Sequence, residues 1–556
     1  MINHLCIFTI LLFVTSPVVE ASRFKRQSSK SQKKYEAGKT LDFNGTKVEE
    51  YLGIPFAKPP LNESRFMPPQ EIEEPENVVK AEYPAATCPQ YLFETNITAL
   101  DFWNPPTNNI SENCLQLNMW VPENKTGAVL VNLCGGAYWR LGASNDIFNG
   151  SVLAAYSGAI VVNLNFRLGA LGFARLNGTN VTGNMGMLDQ QMGLQWIKKN
   201  IQQFGGDPSK VTLMGEQTGA SSAEAHLYAK NSSGLFRRIA LTSGTLENTW
   251  GSRTNHYTEK TTEELAKKVN CTEKDPYEKL KCLQNKNITE IINATKSIRT
   301  NTNLTFGFPF SLTRKDGNFF AKDFTRMKAK KKEIKVLICA VNWTVTPPTE
   351  NCTLSKQNFK DIVTNIKTLY NKTEDWEIKV LENYTTNGSN YEEPANQLLS
   401  DLLFDCGLKQ FADKRADDKS NNTYVYMFNH TSLEKETRWP DSFGTVHATL
   451  IEFLFGRPFR YPGNYSDNLQ AQKNMSEKVM KLYGEFAKNG KPSKDWSSYT
   501  SENKKVITLD LEYGGETVKT YNMSKFDGCD ELIKPYEKEI TQNVRNIRNK
   551  RSASRS

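Results

Sequence analysis

The stretch "SKVTLMGEQTGASSAEAHLYA" (209–229) decides how the rest of the chain is read. An apolar, partly β-branched run, Val211 to Met214, reads as a strand. From Thr218 onward the small residues Ala220, Ser221, Ser222 and Ala223 read as a helix. Only a few residues separate the two, and Gly215 and Gly219 flank them. A chain that passes from strand to helix so abruptly must fold sharply, and glycine permits this because it has no Cβ. The residue at the apex of the turn is Gln217.

The same alternation recurs on both sides. "GAVLVNLCGGAYW" (127–139) holds a strand-like run, Val129 to Leu133, ending in two glycines, and "AIVVNLNFRLGALGF" (159–173) is a β-branched strand entering a glycine-rich loop. "RRIALTSG" (237–244) and "EIKVLICAVN" (333–342) read as further strands, and "YLGIPFAKPP" (51–60) as an apolar run broken by prolines. "MLDQQMGLQWIKKNIQQF" (187–204) has helical periodicity, with Leu188, Met192, Trp196 and Ile197 on one face. "NMSEKVMKLYGEFAKNG" (474–490) is a second amphipathic helix, striped by Val479, Leu482, Tyr483 and Phe486 and stopped by Gly490. Alternating strands and helices predict an α/β fold with a mostly parallel central sheet and helices on both faces. The expectation is a single large domain over 41–535.

Composition bounds the function classes. The 556 residues are 38% apolar, enough for a real core, and show no repeat or low-complexity linker. The net charge of +9 is a mild excess on so long a chain. Its densest cluster, Lys328 to Lys332, reads as a solvated loop or as an acidic-glycan patch. No nucleic-acid module is present. At the N-terminus, Leu5 to Val14 is apolar and too short to span a bilayer, so residues 1–21 read as a signal peptide. A polar basic leader over 22–40 follows, where Arg23-Phe24-Lys25-Arg26 is either a convertase-type cleavage site or plain solvated charge. The tail, 536–556, is polar and basic. No run of 18 apolar residues follows the leader, which argues against a membrane anchor. The sequons at Asn44, Asn62, Asn96, Asn109, Asn124, Asn149, Asn177, Asn180 and Asn231 begin a dense series and fit a glycosylated, secreted surface.

Taken together, these blocks resemble the type-B carboxylesterase and cholinesterase family. "SENCLQLNMW" (111–120), "GNMGMLDQQMGLQWIKKNI" (183–201), "FGGDPSKVTLMGE" (204–216), "GLFRRIALTSGT" (234–245) and "GTVHATLIEFLFG" (444–456) are similar to family blocks, in family order, from about Tyr51 to Tyr499. The resemblance implies the α/β-hydrolase fold. It also implies disulfides Cys88–Cys114, Cys271–Cys282 and Cys406–Cys529, leaving Cys134, Cys339 and Cys352 over; two of these sit at strand ends, and the three read either as buried free thiols or as holding one further pair.

The same resemblance shows what is missing. The Gly-flanked turn is where the family places its nucleophilic serine, in chain order nucleophile, acid, histidine. Gln217 occupies that position, and a carboxamide has no hydroxyl to give up. "AVNWTVT" (340–346) matches the block that carries the acid, with Asn342 on the family's Asn and Val345 on the acid; Glu350 lies beyond two prolines. His447 falls on the catalytic histidine, followed by Ala448 where glycine is usual. The two losses leave His447 without triad partners, as a hydrogen-bonded histidine in a half-buried pocket. "CGGAYW" (134–139) matches the oxyanion loop, whose donors would be the N–H groups of Gly136, Ala137 and Thr218. Trp103 and Glu216 match a site that cradles an organic cation, or Trp103 simply anchors a long loop.

The resulting expectation is a secreted, non-catalytic member acting in extracellular binding or adhesion with a protein or glycan partner. No nucleic acid, metal or cofactor is implied. A homodimer through the helix around Met475–Phe486 is one expectation, and core packing of its stripe is the other. Two further readings stay open: a carrier of small organic cations or esters that uses the retained gorge, and an ester hydrolase with non-standard residues, Thr218, Ser221 or Ser222 serving as the hydroxyl.

Overall fold

Val211–Glu216 is a strand buried along its whole length, as a strand covered on both faces must be. It lies near the middle of a sheet of eleven strands. In chain order the strands of the protein are β1 (Tyr35–Ala37), β2 (Lys39–Phe43), β3 (Thr46–Pro55), β4 (Val79–Ala81), β5 (Gln116–Pro122), β6 (Val129–Leu133), β7 (Ile160–Leu164), β8 (Val211–Glu216), β9 (Arg238–Thr242), β10 (Lys335–Val341), β11 (Thr423–Phe428), β12 (Lys505–Leu509) and β13 (Thr520–Asn522). The sheet order is β13-β12-β11-β10-β9-β8-β6-β7-β5-β3-β2, and β1 pairs with β4 separately. From β12 to β7 every neighbouring pair is parallel. The pairs β12–β13, β7–β5, β5–β3 and β3–β2 are antiparallel. The computed structural model describes residues 34–92, 103–106, 109–299, 309–327, 333–341, 354–369, 372–385, 388–416, 422–434, 445–465, 468–509, 520–522, 529 and 532.

The order of the strands positions the site. From β6 the chain moves outward to β7, and later returns to the other side of β6 as β8. The loops leaving β6 and β8 therefore diverge, and open α/β sheets form their binding crevice at such a switch point. Leu133, the last residue of β6, lies in register with Gly215 of β8, so the two loops begin side by side.

The helices that shape the site and its surroundings are α1 (Met185–Asn200), α2 (Thr218–Ala225), α3 (Ile288–Arg299), α4 (Thr449–Leu454) and α5 (Leu469–Asn489). In α1 the buried surface is broader than a single stripe. Leu188 and Met192 are only half-buried, whereas Met187, Leu194, Trp196 and Ile197 are buried. Asp189 is buried too, because it forms an ion pair with Arg167 at 2.7 Å. The stripe of α5 (Met475, Val479, Leu482, Tyr483, Phe486) lies in the chain's own core, and Gly490 ends the helix at φ 73°. Any pairing of copies through α5 must therefore use its polar outer face.

The leader is shorter than its composition suggests, since β1 and the start of β2 fall within 22–40. Tyr35 is drawn in by burial against Trp196, with ring centroids 6.2 Å apart. Lys33–Ser556 forms one compact unit. Three disulfides join Cys88–Cys114, Cys271–Cys282 and Cys406–Cys529. Cys134 and Cys339 are buried free thiols, and burial pushes the Cys134 thiol up to about 12. Cys352 lies outside the described residues, as do Asn96, Arg23–Arg26, Lys328–Lys332 and the tail. Among the described residues no helix is long and apolar enough to cross a membrane. Asn44, Asn62, Asn109, Asn124, Asn177, Asn180 and Asn231 are exposed. Asn149 is half-buried, and its Oδ1 accepts from the Ser151 hydroxyl at 2.6 Å.

Candidate functional site

The turn after β8 is built from backbone constraints. A Cβ on Gly215 would meet the backbone carbon of Gly219 at 2.3 Å, and a Cβ on Gly219 would meet the Leu133 carbonyl at 2.1 Å. Both contacts are with backbone, which cannot step aside. Glycine at both positions lets α2 start directly against the exit of β6. Gln217 is held at φ 54°, ψ −115°, in a region that costs a non-glycine residue about 1–3 kcal/mol. Its N–H donates to the Thr242 carbonyl at 2.9 Å, and its carbonyl accepts from Ser221 N–H at 3.0 Å. Its carboxamide does not cap α2. The hydroxyls further along the helix are committed to packing. Ser221 donates to the Thr245 carbonyl at 2.7 Å, and Ser222 accepts from the Gln190 amide at 3.3 Å. Thr218 is buried at the first position of α2.

The loop after β6 faces this turn. Gly136, Ala137 and Tyr138 have φ of 94°, 63° and 62°. The Gly136 carbonyl accepts from Trp139 and Arg140, and the Tyr138 carbonyl from Gly169, which hold the loop in its curl. The N–H groups of Gly136, Ala137 and Thr218 find no acceptor among the described residues. These are the three groups that the family resemblance offers as donors to an oxyanion.

His447 is not left without a partner. Its Nε2 lies 2.7 Å from Oε1 of Glu216, the residue just before Gln217. Glu216 is buried and His447 half-buried, so the carboxylate beside the turn lies against the imidazole, as an ion pair when the ring is protonated. Ala448 follows at φ 67°, a left-handed conformation that explains why glycine suits this position.

A second support for His447 comes from a segment that the motif reading missed. Asp401–Asp405 forms one π-helical turn. Its Phe404 ring sits 4.9 Å from the His447 ring, and Trp250 packs behind Phe404 at 5.8 Å. The Leu403 carbonyl accepts from the Trp250 indole N–H at 2.6 Å and from the Asn248 amide at 2.9 Å. The Phe404 carbonyl also accepts from Asn248, at 3.0 Å. These side-chain bonds satisfy carbonyls inside the irregular turn and fix Phe404 against the histidine. Burial raises the Asp401 carboxyl to about 6 and the Asp405 carboxyl well above the usual range. The signal in the sequence was acids inside an apolar run, "SDLLFDC" (400–406).

Other predicted site residues are less closely joined. Trp103 packs half-buried against the core cluster that includes Leu141 and Phe148, and its carbonyl accepts from Asn145 at 3.2 Å. Asn342, Val345 and Glu350 lie outside the described residues. Cys271, Glu273 and Cys282 gather potential metal ligands within 4.8 Å, but the two sulfurs are already bonded to each other.

The carboxylesterase family profile matches residues 37–526. The chain belongs to the carboxylesterase family. It is 30% identical over 509 residues to Acetylcholinesterase 4 of Caenorhabditis briggsae, which covers 84% of this chain and 83% of that one. It is 32% identical over 501 residues to Cholinesterase of Mus musculus, covering 85% of this chain and 82% of that one. Acetylcholinesterase of Bungarus fasciatus is 31% identical over 499 residues, with 84% and 80% covered. In this carboxylesterase-family member, Gln217 stands between β8 and α2.

Proposed function

We propose that this protein is a secreted, glycosylated, non-catalytic member of the carboxylesterase family that acts in extracellular binding or adhesion, through a protein or glycan partner. One observation carries the reading: the elbow is intact, and the residue at its apex is Gln217. Attack on an ester requires an oxygen or sulfur that can pass a proton to the histidine, and a carboxamide supplies neither. His447 is engaged by Glu216, and the hydroxyls of Ser221 and Ser222 are spent within the fold. Val345 at the acid position supports the same reading. Export is supported by three disulfides, exposed sequons and the N-terminal apolar run.

The test is covalent labelling with a fluorophosphonate, together with turnover of a short activated ester. Neither label nor turnover above buffer is expected. A label that maps to Thr218 or another hydroxyl would overturn the reading. Gln217→Ser combined with Val345→Glu is expected to restore measurable esterase activity, because the donor cradle and His447 persist.

The cradle supports a second reading, a small-ligand carrier. Unoccupied N–H donors at Gly136, Ala137 and Thr218 suit the carbonyl of an uncleaved ester. Quenching of tryptophan fluorescence by choline esters tests it, and the absence of quenching up to about millimolar ligand rules it out.

A further inference from the structure

We propose that the sequon Asn109-Ile110-Ser111 carries an N-linked glycan whose first N-acetylglucosamine stacks on the exposed ring of Tyr83. The inference rests on the secreted, glycosylated reading above, and adds which sugar is fixed against the protein and by what. Two sets of bonds bring the pair together. Thr87 N–H donates to the Asn109 carbonyl at 2.8 Å, and Ser111 N–H donates to the Thr87 carbonyl at 2.9 Å, so that Thr87 and Ile110 form a parallel bridge. The Asn109 side chain follows the same line, its Nδ2 donating to the Pro84 carbonyl at 3.4 Å. Pro84 adjoins Tyr83, and neighbouring Cα atoms lie about 3.8 Å apart, so a sugar on Nδ2 starts one residue from the ring.

Tyr83 is anchored everywhere except at its ring faces. At 75% it is the most exposed large apolar side chain among the described residues. Its backbone packs on β3, where Gly53, at φ 69°, would place a Cβ only 2.4 Å from the Tyr83 carbonyl. Two residues on, Ala85 N–H donates to the Asn118 carboxamide at 3.0 Å. The Tyr83 hydroxyl bonds to the Glu82 carboxylate, which also pairs with Lys80 at 2.7 Å. A single exposed aromatic is ordinary, but one held rigidly beside a sequon loses little freedom when a sugar covers it. The face of an aromatic ring carries negative charge density and attracts polarised C–H bonds. The axial hydrogens of a β-linked N-acetylglucosamine offer such bonds, and its hydroxyls stay in water at the rim.

Transfer from a lipid-linked pyrophosphate donor forms the bond between Asn109 Nδ2 and sugar C1, breaks the C1–O bond to the pyrophosphate, and releases one Nδ2 proton. The amide keeps its second N–H, so the bond to Pro84 survives and goes on aiming the side chain. Asn149 makes a contrast. It is half-buried, and its Oδ1 accepts both the N–H and the hydroxyl of Ser151, at 3.1 and 2.6 Å. Asn109 is exposed, and its bond to Pro84 holds it beside an aromatic ring.

The test uses the full chain secreted from a eukaryotic host. Sugar is released from the native protein by a peptide N-glycosidase, and each site is followed by glycopeptide mass spectrometry, with Asn124 and Asn231 as references. Asn109 is expected to be occupied and to release its sugar about tenfold more slowly than in Tyr83→Ala. Tyr83→Trp should keep the slow release, while Asn124 and Asn231 respond to neither substitution. Reciprocally, Asn109→Gln should raise the nitration rate of Tyr83 by about fivefold, because the sugar no longer covers the ring. Tyr83 and Asn109 are exposed, so these variants should fold, and circular dichroism checks it. The proposal alone is overturned if Asn109 is bare while Asn124 or Asn231 carries sugar. It is overturned equally if Tyr83→Ala changes the release rate by less than about twofold, or if Asn109→Gln leaves the nitration of Tyr83 unchanged. Sugar at no sequon would overturn the glycosylated reading together with it.

Discussion

The elbow at Gly215–Ala220 and the turn at His447–Ala448 are both left-handed corners that run into short helices, α2 and α4. They are built in opposite ways. In the elbow two glycines flank the apex residue Gln217. In the histidine turn no glycine is present, and Ala448 takes φ 67°. The contacts explain the difference. At Gly219 an added Cβ would lie 2.1 Å from a backbone carbonyl, so packing alone demands glycine. Ala448 is itself the non-glycine residue, and only a modest strain attaches to it. Packing fixes the residue at Gly219, whereas the half-buried Gln217 side chain meets no such backbone limit.

The largest expected effect tests the rigid side of this comparison. Gly219→Ala should destabilise the protein by about 3–5 kcal/mol, as denaturant unfolding would measure. A loss under about 1 kcal/mol would mean that the elbow can relax, and the contrast with Ala448 would collapse.

The helices after the two turns each bury a glutamate, and pH separates them. Burial raises Glu452 in α4 to about 7 and Glu224 in α2 to about 8. Glu452 accepts from Ser432 at 2.6 Å and from Tyr465, with Glu434 and Arg457 nearby. Glu224 accepts from Leu246 N–H at 2.7 Å, with Glu247 and Lys414 nearby. Both carboxyls are raised above their unfolded values, so each contributes its full stabilisation below about pH 4.5 and loses it as pH rises through its folded value. His430 is depressed to about 4 and works in the opposite direction, between about pH 4 and 6.5. The window free of that opposition is about pH 6.5–8. There stability should fall by on the order of 2–3 kcal/mol, with Glu452 contributing up to about pH 7 and Glu224 up to about pH 8. Thermal unfolding across this window checks the slope. Glu452→Gln should lessen the slope below about pH 7 only, and Glu224→Gln should lessen it across the whole window.

Glu216→Gln joins the two turns in one measurement. It replaces the carboxylate that holds His447 at 2.7 Å. A loss of about 1–2 kcal/mol is expected, since one partner of a mostly buried pair is left behind. No change in unfolding would mean that the Glu216 carboxylate adds nothing to the placement of the histidine.

The smallest effect is a gain. Gln217→Gly should stabilise the chain by about 0.5–1 kcal/mol, because relief of strain at φ 54° exceeds the added entropy of the unfolded chain. A loss would show that the carboxamide makes a contact worth more than the strain.

Much of this was legible in the residues. The run Val129 to Leu133 coincides with β6, and the elbow with the β8-to-α2 junction, because glycines and β-branched runs act locally. The three disulfides followed from the family resemblance. The stripe of α1 was read too narrowly, because periodicity registers apolar residues and overlooks Asp189, which enters the core only with Arg167. Tyr35 lies within the stretch read as a leader and is buried by a partner, Trp196, far along the chain, a contact that local composition does not reveal.

The sequence by itself determined the fold class, the sharp turn after β8 and the presence of Gln217 at its apex, since each rests on neighbouring residues whose steric and chemical limits need no distant contact. Only the tertiary structure decided that His447 rests on Glu216 and Phe404, that the stripe of α5 belongs to the core, and that Asn109 reaches Pro84. Each of these joins residues far apart in the chain, so its energy exists only once the sheet has brought them together.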